Sequence, residues 1–220
     1  MAHSASKRVV ITGLGVVAPN GIGKEAFWTS LLEGQSGVRP ITLFDAEHHP
    51  CQIAGEVKGF ELNHFVDLHD VRVKRLSRQT QLTLAASLLA LKDAGLKPVP
   101  ANFLEPLAIV LGISSSAIEV ITQGYDRMLA HGARRVPTHT VQACQPQQSA
   151  SVVAGYLRCT SRTQTIASAC AAGLDAIAAA YRLIRSGGTS VALTGGADAP
   201  INDLTFACLA QAGLIAASTY

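Results

Sequence analysis

Residues 165–173 read Thr165-Ile166-Ala167-Ser168-Ala169-Cys170-Ala171-Ala172-Gly173. The short run at residues 164–167 predicts a buried strand, and residues 170–186 carry apolar side chains at helical spacing. Gly187-Gly188 then ends the predicted helix. A strand that passes through a tight turn into a helix is a building unit of α/β proteins, so this region predicts that class.

Further strand and helix patterns lie on both sides of this run. Residues 107–111 have the continuous apolar pattern of a buried strand, and residues 190–194 predict another strand, which Gly195-Gly196 ends. Serines at positions 114–116 offer N-caps for a helix that extends to about residue 130, and residues 149–157 also predict a helix. Because strands alternate with helices, the sequence predicts a mostly parallel sheet that is covered by helices.

The N-terminal part of the chain shows the same kind of pattern. Residues 8–11 form a short β-branched run that predicts a buried strand, and the glycine turn Thr12-Gly13-Leu14-Gly15 follows it. Residues 24–32 predict a helix, and residues 76–94 predict an amphipathic helix that ends at a glycine. Between these helices, residues 35–70 predict a long surface connection with one short strand.

Several cofactor and metal sites are excluded by spacing. Gly13 and Gly15 follow a predicted strand, but the third glycine position of a dinucleotide-binding loop is Ala18, so nucleotide binding is not expected. The seven histidines form no HExxH motif and no i, i+4 pair, and the five cysteines show no CxxC spacing. We therefore expect no metal, no cofactor and no disulfide framework, which fits a reducing cytoplasm.

Composition also limits the class of protein. The 220 residues are 48% hydrophobic and 15% charged, as in globular proteins, and only 5% are aromatic, so small aliphatic side chains must build the core. The net charge of +3 comes with no basic run interleaved with aromatics, which argues against nucleic-acid binding. No apolar run approaches the roughly 18 residues that a membrane span needs.

Cys170 is the candidate nucleophile. The turn places it at the start of the predicted helix, where free backbone N–H groups and the helix dipole favour a thiolate over a thiol. Its neighbours are all small and leave room for a substrate. On geometry alone, an inert buried thiol is an equally good interpretation, because that is the usual state of a free cysteine.

The run Ser168-Ala169-Cys170-Ala171-Ala172-Gly173 resembles the nucleophile motif of elongating β-ketoacyl-acyl carrier protein synthases. Similarity to other blocks of that family extends over the whole chain, at residues 9–21, 31–38, 44–45, 152–157 and 193–198. The resemblance implies that residues 1–220 are the N-terminal half of a thiolase-like αβαβα layered sandwich. It also implies that Cys170 accepts an acyl chain for condensation with malonyl carrier protein, in fatty acid or polyketide biosynthesis.

The chain also departs from the family pattern. Ala171 and Ala172 stand where members usually carry a hydroxyl residue, and Ser151 stands in place of an amide. The family's catalytic histidines, its lysine and its glycine-rich oxyanion loop belong to a C-terminal half that this sequence does not contain. Three hypotheses follow: half of an active synthase, a naturally short subunit that shapes the chain-length pocket of a full-length ketosynthase, or a non-catalytic scaffold.

The resemblance also implies partners. It places docking of the acidic acyl carrier protein at the basic cluster Arg72, Lys74, Arg75 and Arg78, for which a solvated helix start is the alternative interpretation. A half-sandwich leaves apolar surface uncovered, which indicates an interface. In the family, residues 163–167 would lie at a two-fold axis, so we expect a full-length ketosynthase as partner, or a homo-oligomer.

Overall fold

The computed structural model describes residues 8–67, 75–97, 106–160 and 162–216. Its strands are β1 (Val17–Ala18), β2 (Gly21–Ile22), β3 (Arg39–Pro40), β4 (Ile53–Ala54), β5 (Leu107–Gly112), β6 (Thr163–Ile166) and β7 (Val191–Gly196). Its helices are α1 (Lys24–Leu32), α2 (Arg78–Asp93), α3 (Ile118–His131), α4 (Thr140–Ala143), α5 (Gln148–Leu157), α6 (Ala172–Arg185) and α7 (Asp203–Gln211). Short 3₁₀ turns cover Leu62–His64, Ala133–Arg135 and Ala169–Ala171.

The main sheet has three parallel strands, with β5 between β6 and β7. In the register, Leu111 lies opposite Thr165 on β6 and opposite Gly195 on β7. This sheet confirms that strands lie at residues 107–111, 164–167 and 190–194, and with its helices it confirms the α/β class. The predicted burial of the strand at 164–167 is wrong, because β6 lies at the edge of the sheet and its residues are exposed or half-buried. Since all three strands run in the same direction, their carboxyl ends meet at one edge of the sheet.

Helices cover both faces of this sheet. On one face, α5 packs against β5 and α2 packs against α5, in a core whose fully buried side chains include Leu84, Ile109 and Val153. On the other face, α6 contributes Ala176 and Ala180, which pack against Val110. Alanine side chains are short, so the axis of α6 can lie close to the sheet, as the low aromatic content predicts.

The outer side of α6 has a different character. Leu174, Ile177 and Tyr181 lie one helical turn apart and are 75%, 46% and 43% exposed. The apolar spacing that predicts this helix therefore belongs largely to a stripe that points away from the sheet, while the alanines face the core. An apolar stripe of this kind on a surface helix is typical of a surface that packs against something else.

The prediction of a buried strand at residues 8–11 is wrong. This segment makes no strand pairing within the described residues, and Val10 and Ile11 are 67% and 81% exposed. The chain instead runs across α2, where a Cβ on Gly13 would lie 2.3 Å from the carbonyl oxygen of Ala90. The backbone N–H of Leu14 donates to the carboxylate of Asp93 at 2.9 Å. A β-branched run becomes a strand only beside a strand that can pair with it, and the residues that follow this run, Gly13 to Gly15, lie against a helix.

Two smaller expectations also need correction. The helix predicted from the serines at 114–116 begins later, at Ile118, and no serine side chain caps it. The irregular region at residues 35–70 contains a pair of short strands, β3 and β4, where one strand was predicted.

The long helix predicted at residues 76–94 is α2, capped by the Ser77 hydroxyl, which accepts the N–H of Thr80 at 3.2 Å. Among the described residues, none of the helices combines the length and apolarity needed to cross a membrane.

Candidate active site

The carboxyl-terminal edge of the parallel sheet gathers three loops. The chain leaves β6 at Ile166 and reaches Cys170 four residues later, while the loops after β5 and β7 lead to Ser114 and Asp198. The backbone N–H of Ile113 donates to the carbonyl of Ile166 at 2.9 Å, which fixes the end of β6 beside the end of β5. In open α/β sheets this edge is where ligands bind.

The turn that carries Cys170 has an unusual backbone. Ser168 has φ −111° and ψ 39°, and Ala169 has φ 54°, in the left-handed region. That region costs roughly 1–2 kcal/mol for a residue with a Cβ atom, so the surrounding structure must hold the turn in place. Residues 169–171 form a 3₁₀ turn, and the α-helix itself starts at Ala172. Cys170 thus stands in the turn just before α6, two residues earlier than the regular helix.

Solvent access separates Cys170 from most of the other cysteines. Cys170 and Cys208 are exposed, whereas Cys51 and Cys159 are buried and Cys144 is intermediate. Cys170 is therefore not a buried thiol in the described structure, and its reactivity stays a prediction. An exposed thiol beside the free N–H groups of a fourteen-residue helix can act as a nucleophile toward a carbonyl carbon.

Glycines seat the start of α6 directly on the sheet. A Cβ on Gly112 would lie 2.1 Å from the carbonyl oxygen of Ala172, and a Cβ on Gly196 would lie 2.8 Å from the Cα of Gly173. Any side chain at Gly112 would therefore push the first turn of α6, and Cys170 with it, away from the strand ends. Sequence reasoning reads Gly196 only as a strand end and gives Gly112 no role. Their positions at the ends of two parallel strands are the signal that points to this contact.

Two carboxylates organise the same edge, and sequence reasoning does not identify either of them. Asp198 accepts the backbone N–H groups of Ser114 at 3.0 Å and Ser115 at 2.9 Å, which holds the loop after β5. Asp175, in the first turn of α6, accepts a hydrogen bond from the hydroxyl of Ser168. No cluster of three or more histidine, cysteine or acidic side chains within the described ranges could hold a metal ion.

The structure describes two members of the predicted basic cluster, Arg75 and Arg78, and their surroundings differ. Arg75 is exposed, whereas Arg78 is half-buried: its Nη2 donates to the carbonyl of Val57 at 2.8 Å, and its guanidinium lies 4.7 Å from the centre of the Phe60 ring. Burial lowers the pKa of Arg78 from its ordinary value. Arg72 and Lys74 lie outside the described residues. Arg78 therefore has a packing role, and Arg75 is the described member that a partner can reach.

Comparison with known proteins identifies the family. Residues 6–219 match the model of the beta-ketoacyl synthase N-terminal domain. The chain is 34% identical over 214 residues to the tetracenomycin polyketide synthase ketoacyl synthase alpha subunit of Streptomyces glaucescens, covering 94% of this chain and 50% of that protein. It is 32% identical over 212 residues to 3-oxoacyl-[acyl-carrier-protein] synthase 2 of Synechocystis sp., covering 96% of this chain and 50% of that protein.

Solved structures agree with these sequence matches. The chain superposes on the ishigamide ketosynthase/chain length factor with a TM-score of 0.85 and 31% identity, covering 95% of this chain and 51% of the other. This chain thus spans about half the length of the relatives that it matches. The resemblance carried by the motif around Cys170 is confirmed, and the chain belongs to the β-ketoacyl synthase family, whose N-terminal domain it matches over residues 6–219.

Proposed function

We propose that this chain is a ketosynthase-type subunit in which Cys170 accepts an acyl chain as a thioester. The observation that carries the proposal is the exposed Cys170 thiol in the turn before α6, at the carboxyl-terminal edge of the parallel sheet. The thiolate would attack the carbonyl carbon of an acyl thioester on acyl carrier protein or coenzyme A. The bond between the carbonyl carbon and the carrier sulfur breaks, the carrier leaves as a thiolate that takes a proton from water, and the acyl group stays on Cys170.

The second chemical step needs groups beyond Cys170. Decarboxylation of malonyl carrier protein produces a carbanion that attacks the acyl thioester, and hydrogen-bond donors must stabilise the developing charge. The family resemblance assigns those donors, two histidines among them, to the half of the relatives that this chain does not match. We therefore propose that condensation takes place only where a second half-sandwich completes the site. A reducing, cytoplasmic setting would keep Cys170 reduced and so available for acylation.

Exposed apolar surface supports assembly with another polypeptide segment. The outer stripe of α6 is one such surface, and α3 carries a second, with Ile121, Tyr125 and Leu129 at helical spacing and 48%, 55% and 67% exposed. Rows of exposed apolar side chains on a helix are typical of surfaces that pack against another protein segment. In this proposal the partner is a full-length ketosynthase in a heterodimer, with acyl carrier protein as the substrate carrier.

A second candidate function is that of a chain-length-factor-like subunit, and one comparison favours it. The structure on which this chain superposes with a TM-score of 0.85 is that of the ishigamide ketosynthase/chain length factor. In such a role the chain would bound the acyl pocket of its partner, and Cys170 would not carry the acyl group. The non-catalytic scaffold is the third hypothesis, and it likewise requires no reactive thiol.

Acylation of Cys170 separates these functions. We expect incubation with an acyl-carrier-protein thioester, followed by peptide mapping, to place the acyl group on Cys170 and on no other cysteine. Iodoacetamide or cerulenin should modify the same residue first. Cys170→Ala should abolish the labelling, whereas Cys208→Ala, which removes the other exposed thiol, should leave it unchanged. Preferential modification of Cys144, Cys159 or Cys208 in the folded protein would contradict the proposal. It would favour the chain-length-factor-like subunit or the scaffold, neither of which uses Cys170.

A further inference from the structure

The turn around Cys170 needs a support that the backbone alone does not supply. The chain enters it from β6, whose last residue Ile166 is fixed by the N–H of Ile113, and leaves it into α6 at Ala172. Between these anchors, Ala169 stands in the left-handed region, which an L-residue leaves readily when nothing holds it. A nucleophile on such a turn points in a defined direction only if a further contact spans the turn.

Ser168 and Asp175 make that contact. Ser168 precedes Ala169, and its hydroxyl donates to the carboxylate of Asp175, seven residues later in the first turn of α6. The hydrogen bond therefore closes a loop that contains Ala169, Cys170 and the whole 3₁₀ turn. Because the acceptor is a carboxylate, the bond is of the stronger, charge-assisted kind. It ties the end of the sheet strand to the body of the helix.

We propose that Ser168 and Asp175 form a positioning pair that holds the left-handed turn and so aims the Cys170 thiol toward its substrate. The inference rests on the proposed function, since it concerns the direction of the same nucleophile. Neither residue touches the acyl group in this scheme, and both act through the backbone of the turn. Small errors in the placement of a reacting atom reduce rates strongly, so loss of the pair should be visible in the reactivity of Cys170.

The experiment compares variants that break the hydrogen bond with variants that keep it. Ser168→Ala and Asp175→Ala remove the donor and the acceptor, whereas Ser168→Thr keeps a hydroxyl and Asp175→Asn keeps an acceptor oxygen without the charge. The full chain is used, in the assembly in which it is soluble. The rate of iodoacetamide modification of Cys170 and the rate of acyl transfer from carrier protein are measured at one pH, with Cys208 as the reference thiol in the same sample.

The positioning pair predicts a specific pattern of rates. Ser168→Ala and Asp175→Ala should slow both reactions at Cys170 by about fivefold to tenfold, while the rate at Cys208 stays the same. Ser168→Thr and Asp175→Asn should stay within about twofold of the unchanged chain. Rescue by these two conservative variants is a result that general weakening of the fold would not produce.

Other outcomes overturn the inference in distinguishable ways. If Cys170 reacts normally in both alanine variants, the positioning pair is refuted and the proposed function stands. If Cys170 of the unchanged chain reacts no faster than Cys208, the proposed function itself fails. If Ser168→Ala opens the fold, seen as modification of the buried Cys51, the comparison of Asp175→Ala with Asp175→Asn decides, because it breaks the same bond from the other side.

Discussion

Individual residues decide which side chains of this chain can meet a partner or a substrate. Cys170 is exposed to solvent in the turn before α6. Arg78 belongs to the same basic cluster as Arg75, but it is half-buried and donates to a backbone carbonyl. Arg75 and Arg78 have the same side chain, and only their surroundings differ. A buried guanidinium is used for packing and hydrogen bonds, whereas an exposed one is free to attract an acidic surface.

The charge of Arg75 can be tested against a matched residue. We expect Arg75→Glu to weaken acyl carrier protein binding and to flatten its salt dependence, because one attraction in the docking field becomes a repulsion. Lys92→Glu makes the same charge change at an exposed position near the other end of α2 and should leave binding unaltered. Titration calorimetry at low and moderate salt measures both. If the two variants bind with equal affinity at low salt, Arg75 is a solvated residue at the helix start and has no docking role.

Reversal of Arg78 should act differently from reversal of Arg75. Arg78→Glu would place a carboxylate against the carbonyls of Val57 and Phe60, so it should lower stability before it affects any partner. A thermal melt of each variant, run beside the binding experiment, distinguishes a lost docking charge from a lost packing contact.

Glu119 makes the stability of the chain depend on pH. Burial raises the pKa of its carboxyl, a backbone hydrogen bond at Arg78 partly opposes that rise, and its Oε1 is buried without a hydrogen-bond partner. The folded state therefore binds the proton more tightly than the unfolded state does. Stability falls as pH rises from the unfolded value near 4.5 through the raised folded value, and the full penalty applies above it.

Glu119→Gln should remove this pH dependence. We expect the variant to melt at a higher temperature than the unchanged chain at neutral pH, and the difference should shrink as the pH is lowered toward 4.5. Melting curves at several pH values provide the measurement. The carboxyls of Glu56 and Asp93 have lowered pKa values, so their contributions are lost only below that range and do not mimic the effect. A difference that grows on acidification would contradict the assignment.

At the scale of elements, α6 and the sheet form one unit because glycine and alanine line their contact. The first turn of α6 rests on the ends of β5 and β7, and its alanines rest on β5. Helix α2 lies on the opposite face of the sheet from α6 and makes a comparable contact. Gly13 and Gly15 of the N-terminal segment lie against its backbone. Close backbone approach of this kind leaves no room for a Cβ atom, so the placement of each element depends on these positions.

Gly112→Ala tests the seat of α6. The added methyl would meet the carbonyl oxygen of Ala172, a backbone atom, so the helix start must move. We expect a loss of stability of roughly 1–3 kcal/mol and slower modification of Cys170. Gly155→Ala is the matched control: it lies in α5, is exposed, and a Cβ there meets nothing within 4 Å. The control should gain roughly 0.5–1 kcal/mol. Denaturant titrations and labelling rates of both variants check the pair, and a neutral Gly112→Ala would refute the seat.

At the scale of the whole molecule, the chain has more apolar surface than its own elements cover. The outer stripe of α6, the stripe of α3 and the exposed Val10 and Ile11 of the N-terminal segment are all in water in the described structure. The ishigamide ketosynthase/chain length factor is about twice as long as this chain, which covers 51% of it. The interpretation that residues 1–220 form one domain remains a prediction, and so does the assembly that would cover these surfaces.

We therefore expect the chain to depend on a partner. Expressed alone, it should self-associate and show no condensing activity, and co-expression with a full-length ketosynthase should yield a soluble heterodimer by light scattering. Ile177→Glu, in the stripe of α6, should prevent that heterodimer. Leu43→Glu, which places the same charge at a residue that is 64% exposed elsewhere, should not. A monodisperse monomer, or condensation of malonyl carrier protein by this chain alone, would refute the dependence.

The sequence by itself determined the class of fold and the family. Apolar periodicity and glycine positions report on neighbours a few residues apart, so the parallel strands, α2, α5 and most of α6 could be predicted, and the run around Cys170 was sufficient to indicate the family. Only the tertiary structure decided which surfaces meet. Residues 8–11 pair with no described strand, Arg78 is half-buried against backbone carbonyls, and Asp175 reaches Ser168. These outcomes depend on contacts between elements distant in sequence or on the exact path of a turn, and local patterns carry no information about either.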